Sequence, residues 1–422
     1  MSRKGINPNA LKVLYRLTEA GYAAYLVGGG VRDLLVGIHP KDFDVATDAK
    51  PEQVKSLFRR CFIIGKRFRL AHVYFGLDKV EVVTFRGHSM PTLRSKKSFL
   101  KTKQGMVVRD NIFGNMEEDA QRRDLTINAL YYNIVDFSLV DYCGGLSDIN
   151  NKIVRIIGEP TERYHEDPVR MLRVIRFATK LNFTIEEKTA APLVMLGNLL
   201  QHIPPSRLYE EVLKLFSLGS AEKTLQLLQQ YDLLRWLLGQ TDACLRQTHF
   251  QHNKLLKLLL ISLDKRYQEG KSIYPEFLFA GLLWAPMMKQ YYQYQNGDDT
   301  AAYERAINAV LSMQARQVAI VRRVAMSVRD IWHLQRQLLR PNVHASHLVH
   351  HKRFRSSLNF LSLRVEAGEP YADTLIWWTQ FREGDDGQRQ AMLAELSNKP
   401  LSTHENATKR RRRRNRNKRK PR

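Results

Sequence analysis

The stretch that most restricts the fold is Tyr25–Val45, YLVGGGVRDLLVGIHPKDFDV. Tyr25–Val27 reads as the apolar end of a strand. The three following glycines are costly inside a helix, but they turn tightly and admit a ligand to the backbone. Val31–Val36 then reads as a short helix closed by Gly37, and Lys41–Ala46 as a returning strand. Side chains alternate faces along a strand, so Asp42 and Asp44 point together while Phe43 points into the core. Two carboxylates about 7 Å apart on one face repel each other unless a cation lies between them. Hard oxygen ligands completed by water suit Mg2+. Two such ions can clamp the attacking and leaving oxygens of a phosphoryl group. A glycine pair alone is a turn, and Asp-x-Asp alone is a solvated surface. The order is informative: strand, Gly28-Gly29, Arg32-Asp33, then Asp-x-Asp, all within 17 residues. The turn and helix N-terminus at Gly28 and Gly29 can take a triphosphate, Arg32 adds positive charge, and the carboxylates hold the metal.

This ordered motif resembles the nucleotidyltransferase signature of the bacterial poly(A) polymerase and CCA-adding enzyme superfamily. The pattern there is Gly-Gly-x-Val-Arg-Asp followed by Asp-x-Asp. Around it, Asn9–Ala20 has helical apolar spacing at Leu11, Leu14, Tyr15 and Leu17, and Pro51–Arg60 reads as a second amphipathic helix. CFIIG, RLAHVYFG and KVEVVTF between Cys61 and Phe85 suggest two or three strands. Mixed helices and short strands give an α/β head of about 140 residues. Glu81, on the last of these strands, is either a third carboxylate beside Asp42 and Asp44 or a solvating edge charge. Arg86–Val108 is polar, basic and punctuated by Gly87, Pro91 and Gly105, which suggests a long flexible loop.

Glu117–Leu130, EEDAQRRDLTINAL, places Asp124 and Asn128 four apart, where they would share a helical face. Its Arg-Arg-Asp-x-x-x-Asn-Ala-Leu run resembles the second family motif. The resemblance implies that Arg123, Asp124 and Asn128 contact the nucleotide. A guanidinium makes a bidentate, always-charged contact to phosphate. Asp124 either orients that arginine or holds the sugar hydroxyl, as a candidate catalytic residue. Downstream, RYHEDPVRMLRVIRFATKL (163–181) opens a helix at Pro168, with acids at its positive end. Met171, Leu172, Val174, Ile175 and Ala178 bury one side. Asp167, Arg170, Arg173 and Arg176 form a polar stripe that winds by about 60° per step. That stripe is similar to the family's Glu-Asp-x-x-Arg motif. The resemblance implies that Asp167 and Arg170 read the base edge and that Arg173 and Arg176 reach the phosphates. A carboxylate and a guanidinium together match adenine's donor and acceptors.

Charge sets the partner. The 422 residues carry a formal net charge of +25. The last 14 contain 11 Lys or Arg and no acid, so the rest is basic as well. A polyanion follows, nucleic acid before membrane. Cys61, Cys143 and Cys244 are odd in number and far apart, giving neither a zinc signature nor a disulfide framework. With no signal-peptide core and no apolar run near ~18 residues, the expectation is a reducing, cytoplasmic location. Phe277–Met288, the nearest such run, reads as a buried helix. Residues 182–240 and 241–400 read as mostly helical, with Trp284, Trp332, Trp377 and Trp378 as core anchors. His344, His347, His350 and His351 lie on a basic or solvated helix rather than at a metal. Lys399–Arg422 cannot bury enough apolar surface to fold alone, and is expected as a disordered polycation gripping phosphates.

The expected organisation is a nucleotidyltransferase head (1–157), a base-reading, RNA-binding helical neck (158–240), a helical RNA-binding body (241–400) and a basic tail (401–422). RFRLAHVYFG, EVVTFRG and RDNIFGNMEEDAQRRD resemble the poly(A) polymerase branch of the superfamily. The implied reaction is attack of an RNA 3′-hydroxyl on the α-phosphate of ATP with Mg2+, for poly(A) tailing in mRNA processing and decay. A CCA-adding tRNA nucleotidyltransferase shares the three motifs. An inert RNA-binding relative would retain the fold without needing both aspartates.

Overall fold

The computed structural model describes residues 5–65, 69–87, 99–101, 107–110, 112–247, 253–295, 297–342 and 344–398. The basic tail therefore lies outside the described residues, as does most of 86–108. Where that segment is described it holds two short antiparallel strands, a correction to the loop expected there.

Helix α1 (Pro8–Glu19) starts at an Asn7 cap, whose side chain accepts from Asn9 N, and stops before Gly21 at φ +84°. Its buried face is Ala10, Val13, Leu14 and Leu17, rotated from the face read in the sequence so that Tyr15 is exposed. Then come β1 (Ala24–Val27), α2 (Gly29–Leu35), β2 (Asp44–Thr47), α3 (Pro51–Leu57), β3 (Cys61–Ile64), β4 (Leu70–Phe75) and β5 (Asp78–Thr84). After β6 (Phe99–Lys101) and β7 (Val107–Asp110) follow α4 (Met116–Arg122), β8 (Leu130–Asn133), β9 (Leu139–Asp141) and α5 (Gly145–Asn150). The seven-stranded sheet runs β3-β4-β5-β2-β1-β8-β9. Within this sheet only β2 and β5 pair in parallel, and their register sets Asp44 opposite Glu81. On the other side of β2, Asp44 faces Val27 of β1. Val27, Ala46, Phe85, Ala120, Ala129, Tyr131 and Ile157 form one core on this sheet.

Strand β10 (Ile153–Val154) leads to α6 (Pro160–Glu166) and α7 (Val169–Leu181), and pairs in parallel with β11 (Thr184–Ile185). Asp167 and Pro168 separate the two helices in extended and turn conformations. Helices α8 (Glu187–Ala190), α9 (Pro192–Leu196), α10 (Pro205–Phe216), α11 (Ala221–Gln230), α12 (Leu234–Leu237) and α13 (Gly239–Leu245) follow. The rest is helical: α14 (Asn253–Gln268), α15 (Pro275–Leu282), α16 (Trp284–Tyr294), α17 (Asp299–Gln317), α18 (Arg322–Leu338), α19 (Ala345–Val349), α20 (Phe354–Glu366), α21 (Ala372–Glu383) and α22 (Asp386–Asn398).

The chain divides into two compact units, 1–243 with 313–319, and 244–312 with 320–422. In the second, Trp284, Trp332 and Trp378 are fully buried, and Trp377 stacks on Phe381 at 4.8 Å. The sequence α/β, then all-α, is the architecture expected. Among the described residues no helix is long and apolar enough to cross a membrane.

Candidate active site

The site is built where β1 ends. Gly28 sits at φ +73°, ψ −135° and caps α2. Side chains other than glycine's rarely adopt that conformation. A Cβ placed there would lie 3.5 Å from Arg123 Nη1 and 3.9 Å from Asp44 Oδ2, so the turn, the arginine and the carboxylate already share one small space. At Gly30 a Cβ would come within 3.3 Å of the Asp42 carbonyl and 3.4 Å of the Phe43 ring. The absence of a side chain lets the Asp42 segment lie on α2.

The strand bearing the aspartates is shorter than its sequence suggests. It begins at Asp44, and residues 41–43 are a bend and loop. Three residues after Pro40, the chain is still crossing α2 and has no ladder partner, so strand alternation does not by itself align Asp42 with Asp44. Phe43 is buried as expected, with Asp42 exposed beside it. The two acids interact nonetheless. Burial, then the Glu81 charge, then Asp42 push the Asp44 carboxyl up to about 6, against the opposing pull of Arg123 and Lys79. Glu81 is thus electrostatically part of the site, although its Oε1 also accepts from Lys79 Nζ at 2.7 Å. Among the described residues no three His, Cys, Asp or Glu side chains form a metal cage. The Asp44 carboxyl, raised by burial and by the negative charge of Glu81 and Asp42, nevertheless sits where a hard divalent cation would be favoured by oxygen ligands and by charge.

Behind the turn is a chain of arginines and acids. Helix α4 stops at Arg123, where ψ turns to 168°. Asp124 and Asn128 therefore do not share a helix, as their spacing suggested. Asn128 lies in a separate 3-10 turn, Thr126–Asn128, which brings its Nδ2 back to Asp124 Oδ1 at 3.2 Å. Arg173 Nε donates to the other oxygen, Asp124 Oδ2. Burial alone would raise the Asp124 carboxyl; the Arg173 charge and these hydrogen bonds hold it well below the usual carboxylate range. Asn128 Oδ1 accepts from Arg32 Nη1, while Arg32 Nε and Nη2 donate to Asp33 Oδ1 at 2.9 and 2.6 Å. Lys180 Nζ closes the chain on Asp33 Oδ2 at 2.9 Å.

Arg123 is held by residues that the sequence did not single out. Asp119 Oδ2 accepts its Nε at 3.2 Å and its Nη2 at 3.0 Å, and Tyr131 Oη accepts Nε at 3.0 Å while itself donating to Asp119 at 2.7 Å. Two of the three guanidinium nitrogens are tied back, and Nη1 faces the Gly28 turn. The signal was present: Asp119 and Arg123 are four apart on the α4 side of the motif.

The stripe on α7 divides. Arg173 and Arg176 lie with Arg32 around one ring, Phe177, at 5.8, 5.0 and 4.5 Å from its centroid. Arg176 also donates to the buried Glu211 at 2.9 Å. Burial, with neighbouring like charge, lowers the proton affinity of Arg32 and Arg176. Asp167 and Arg170 are engaged apart from that ring. Asp167 Oδ2 accepts from Arg207 at 2.7 Å, and Arg170 donates to Glu166 at 2.8 Å and to the Arg163 carbonyl at 2.9 Å. Arg163 in turn caps the Arg122 and Arg123 carbonyls at 2.8 and 2.5 Å. His344 and His347 come no closer than 6.5 Å between ring centroids.

Residues 24–155 match the family model described as "Poly A polymerase head domain". Residues 182–245 match "Probable RNA and SrmB-binding site of polymerase A", and 295–419 match "Polymerase A arginine-rich C-terminus". Poly(A) polymerase I of Salmonella typhi is 44% identical over 412 residues, 95% of this chain and 88% of that protein. The CCA-adding enzyme of Bacillus subtilis is 38% identical over 230 residues, 54% of this chain and 55% of that protein. Among solved structures, a tRNA-processing enzyme in its apo form shares the fold, with TM-score 0.60 and 24% identity, covering 91% of this chain and 99% of that one.

Proposed function

The chain belongs to the poly(A) polymerase I family and is a polynucleotide adenylyltransferase, and from that premise we propose how its site works. It adds AMP from ATP to RNA 3′ ends without a template and releases pyrophosphate. Likeness to the CCA-adding enzyme of B. subtilis spans about half the chain, against nearly all of it for poly(A) polymerase I, so the CCA-adding reading is set aside.

The observation that carries the site reading is the convergence of the Gly28 turn, Asp44 and Arg123 Nη1 beside three guanidiniums grouped on Phe177. So much like charge in one place asks for a polyanion, and a nucleoside triphosphate supplies it. Arg123 Nη1 and the Gly28–Gly29 backbone meet the phosphates nearest the carboxylates. Arg32, Arg173 and Arg176 neutralise the far end, where pyrophosphate leaves. Asp124 and Asn128 orient Arg173 and Arg32, and Asp124 is the candidate acceptor for a ribose hydroxyl. Asp167 and Arg170 read the adenine edge once ATP competes with their present partners, Arg207 and Glu166. Asp42 and Asp44, with Glu81 alongside, would hold two Mg2+ ions, which when bound supply the Lewis acidity and counter-charge for in-line displacement at the α-phosphate.

We assign 1–157 as head, 158–240 as neck, 241–400 as RNA-holding body and 401–422 as tail; the head match at 24–155 supports the first of these. Basic charge throughout holds RNA by its backbone with little sequence preference. Three free cysteines fit a cytoplasmic location.

The test is primer extension with ATP or CTP alone on an unrelated RNA and on a tRNA lacking its end. The wild type should build long A tails on both and need Mg2+ after chelation. Asp42→Ala or Asp44→Ala should abolish addition and leave RNA affinity near normal. Persistent extension by either variant would refute the metal assignment.

A further inference from the structure

A sizeable cavity lies far along the sequence from the nucleotidyltransferase motifs, inside the second unit. It encloses about 650 Å3 between α16, α17, α18 and the end of α20, within the size range of small-molecule sites. Its floor is built rather than left over. Arg364 is 3% exposed and lies between Trp284 and Tyr371, 5.0 and 5.1 Å from the two ring centroids. Glu369 grips that guanidinium at 2.7 to 3.2 Å, and Gln335 accepts its Nη1 at 3.2 Å. One wall is aromatic. Tyr291 packs on Tyr303 edge-on at 5.3 Å and on Tyr292 at 5.6 Å. Arg336 covers the Tyr303 ring at 4.9 Å and pairs with Asp299. At the mouth, Tyr292 is 46% exposed and Arg340 is exposed. Three arginines against two acids leave the lining positive before His333 is counted.

Flat aromatic faces, planar guanidiniums, amide edges and a positive rim are the set that recognises a nucleotide: stacking for the base, hydrogen-bonding groups for its edge, cations for its phosphate. A lipid tail would find too many buried polar groups here, and a bare phosphate would not need the tyrosines. We propose that this cavity is a second nucleotide site, holding a nucleoside 5′-phosphate remote in sequence from the catalytic motifs. The unit is presented as an unstacked residue of single-stranded RNA or as a free nucleotide. Occupied by RNA, it would anchor the substrate away from its reacting end, so that one bound RNA is extended repeatedly. The inference rests on the chain being an RNA-tailing enzyme and names where, in the body, RNA is held.

The experiment uses the full chain with Tyr292→Ala, Arg340→Glu and, as a charge-matched control on an exposed position of α20, Arg355→Glu. Binding of a fluorescein-labelled oligo(A) is measured by anisotropy, with AMP as competitor, and extension of a saturating primer is run alongside. Loss of one stacked base or one rim contact should weaken oligo(A) about 5- to 100-fold, with the Michaelis constant for ATP unchanged and Arg355→Glu weaker in effect. That result without competition by AMP assigns the RNA residue; competition by AMP that both variants abolish assigns the free nucleotide. Wild-type affinities in Tyr292→Ala and Arg340→Glu, or an equal loss in Arg355→Glu, would overturn the proposal. If the wild type itself fails to extend the primer, the tailing reading fails instead.

Discussion

Asp119→Asn separates holding Arg123 in place from merely folding around it. Asp119 is 5% exposed, and its Oδ2 accepts Arg123 Nε, Arg123 Nη2 and Tyr131 Oη at 3.2, 3.0 and 2.7 Å. Its Oδ1 accepts Arg86 N at 3.2 Å. Asparagine preserves the shape but turns one of these two accepting ends into a donor, leaving either Arg123 or Arg86 N facing an N–H. Removing one partner of a buried pair costs about 3–5 kcal/mol. Because one acceptor survives, the expected loss is about 3 kcal/mol, or roughly 6–12 °C in melting temperature for a unit of this size. The kinetic consequence is distinct. Where the amide N–H turns toward Arg123, its Nε and Nη2 lose Asp119, Nη1 is no longer held on the Gly28 turn, and one charge-assisted phosphate contact of about 1.5–3 kcal/mol is lost. Steady-state extension with varied ATP should then show kcat/KM falling about 10- to 150-fold while oligo(A) affinity stays the same. Tyr131→Phe removes one neutral hydrogen bond and should lie between the two proteins. A lowered melting temperature with kcat/KM unchanged would refute the reasoning, because Arg123 would then reach the phosphates without its tether.

Gly28→Ala should lose activity and about 1–3 kcal/mol of stability, since its backbone sits at φ +73° and the new methyl would face Arg123 Nη1 and Asp44; extension assays and urea melts read the two losses separately. The Asp124–Arg173 pair gives a pH dependence of known sign. The folded carboxyl titrates below its unfolded value of about 4, so its stabilisation is complete above that pH and fades as acid approaches the folded value. The stability gap between wild type and Asp124→Asn in urea should therefore be constant from about pH 5 to 7 and narrow below about 4; a gap that widens in acid would reverse the assignment.

What could be read from sequence was what local spacing controls. The turn at Gly28, the two or three strands read from Cys61, the helix opening after Pro168 and three of the four tryptophans read as core follow from backbone permissiveness and hydrophobic period, and they stand in the structure; Gly29 and Gly30, read into the turn, instead open α2, and Trp377 is only half-buried. The errors fall where tertiary contacts override the period. Asp42 was read into a strand that starts only at Asp44, because ladder partners exist only from Val27 and Glu81 inward. Asp124 and Asn128 were read onto one helix, yet they meet through a 3-10 turn after α4 has ended. Partners distant in sequence were invisible: Lys180 lies 147 residues from Asp33, and Arg173 lies 49 from Asp124. No window-based pattern reports such pairs.

Those long-range pairs decide what kind of site this is. Arg32, Arg173 and Arg176 around one phenylalanine would repel one another and swing apart if each were anchored only by its own backbone. Each is instead tied by an acid or amide from another element: Arg32 to Asn128, Arg173 to Asp124 and Arg176 to Glu211 of α10. The counter-charges partly neutralise the cluster, and in the proposed site a triphosphate would complete that neutralisation. Binding then exchanges little geometry, which is the condition under which electrostatic stabilisation of a leaving pyrophosphate is strongest. The same ties join α2, the 3-10 turn, α7 and α10 into one frame, so residues 158–243 fold into the same compact unit as the sheet. Truncation after the sheet would remove the arginines of α7 together with the frame that keeps Asp124 charged. A head made without α7 and α10 should therefore retain its strands yet lose the triphosphate site.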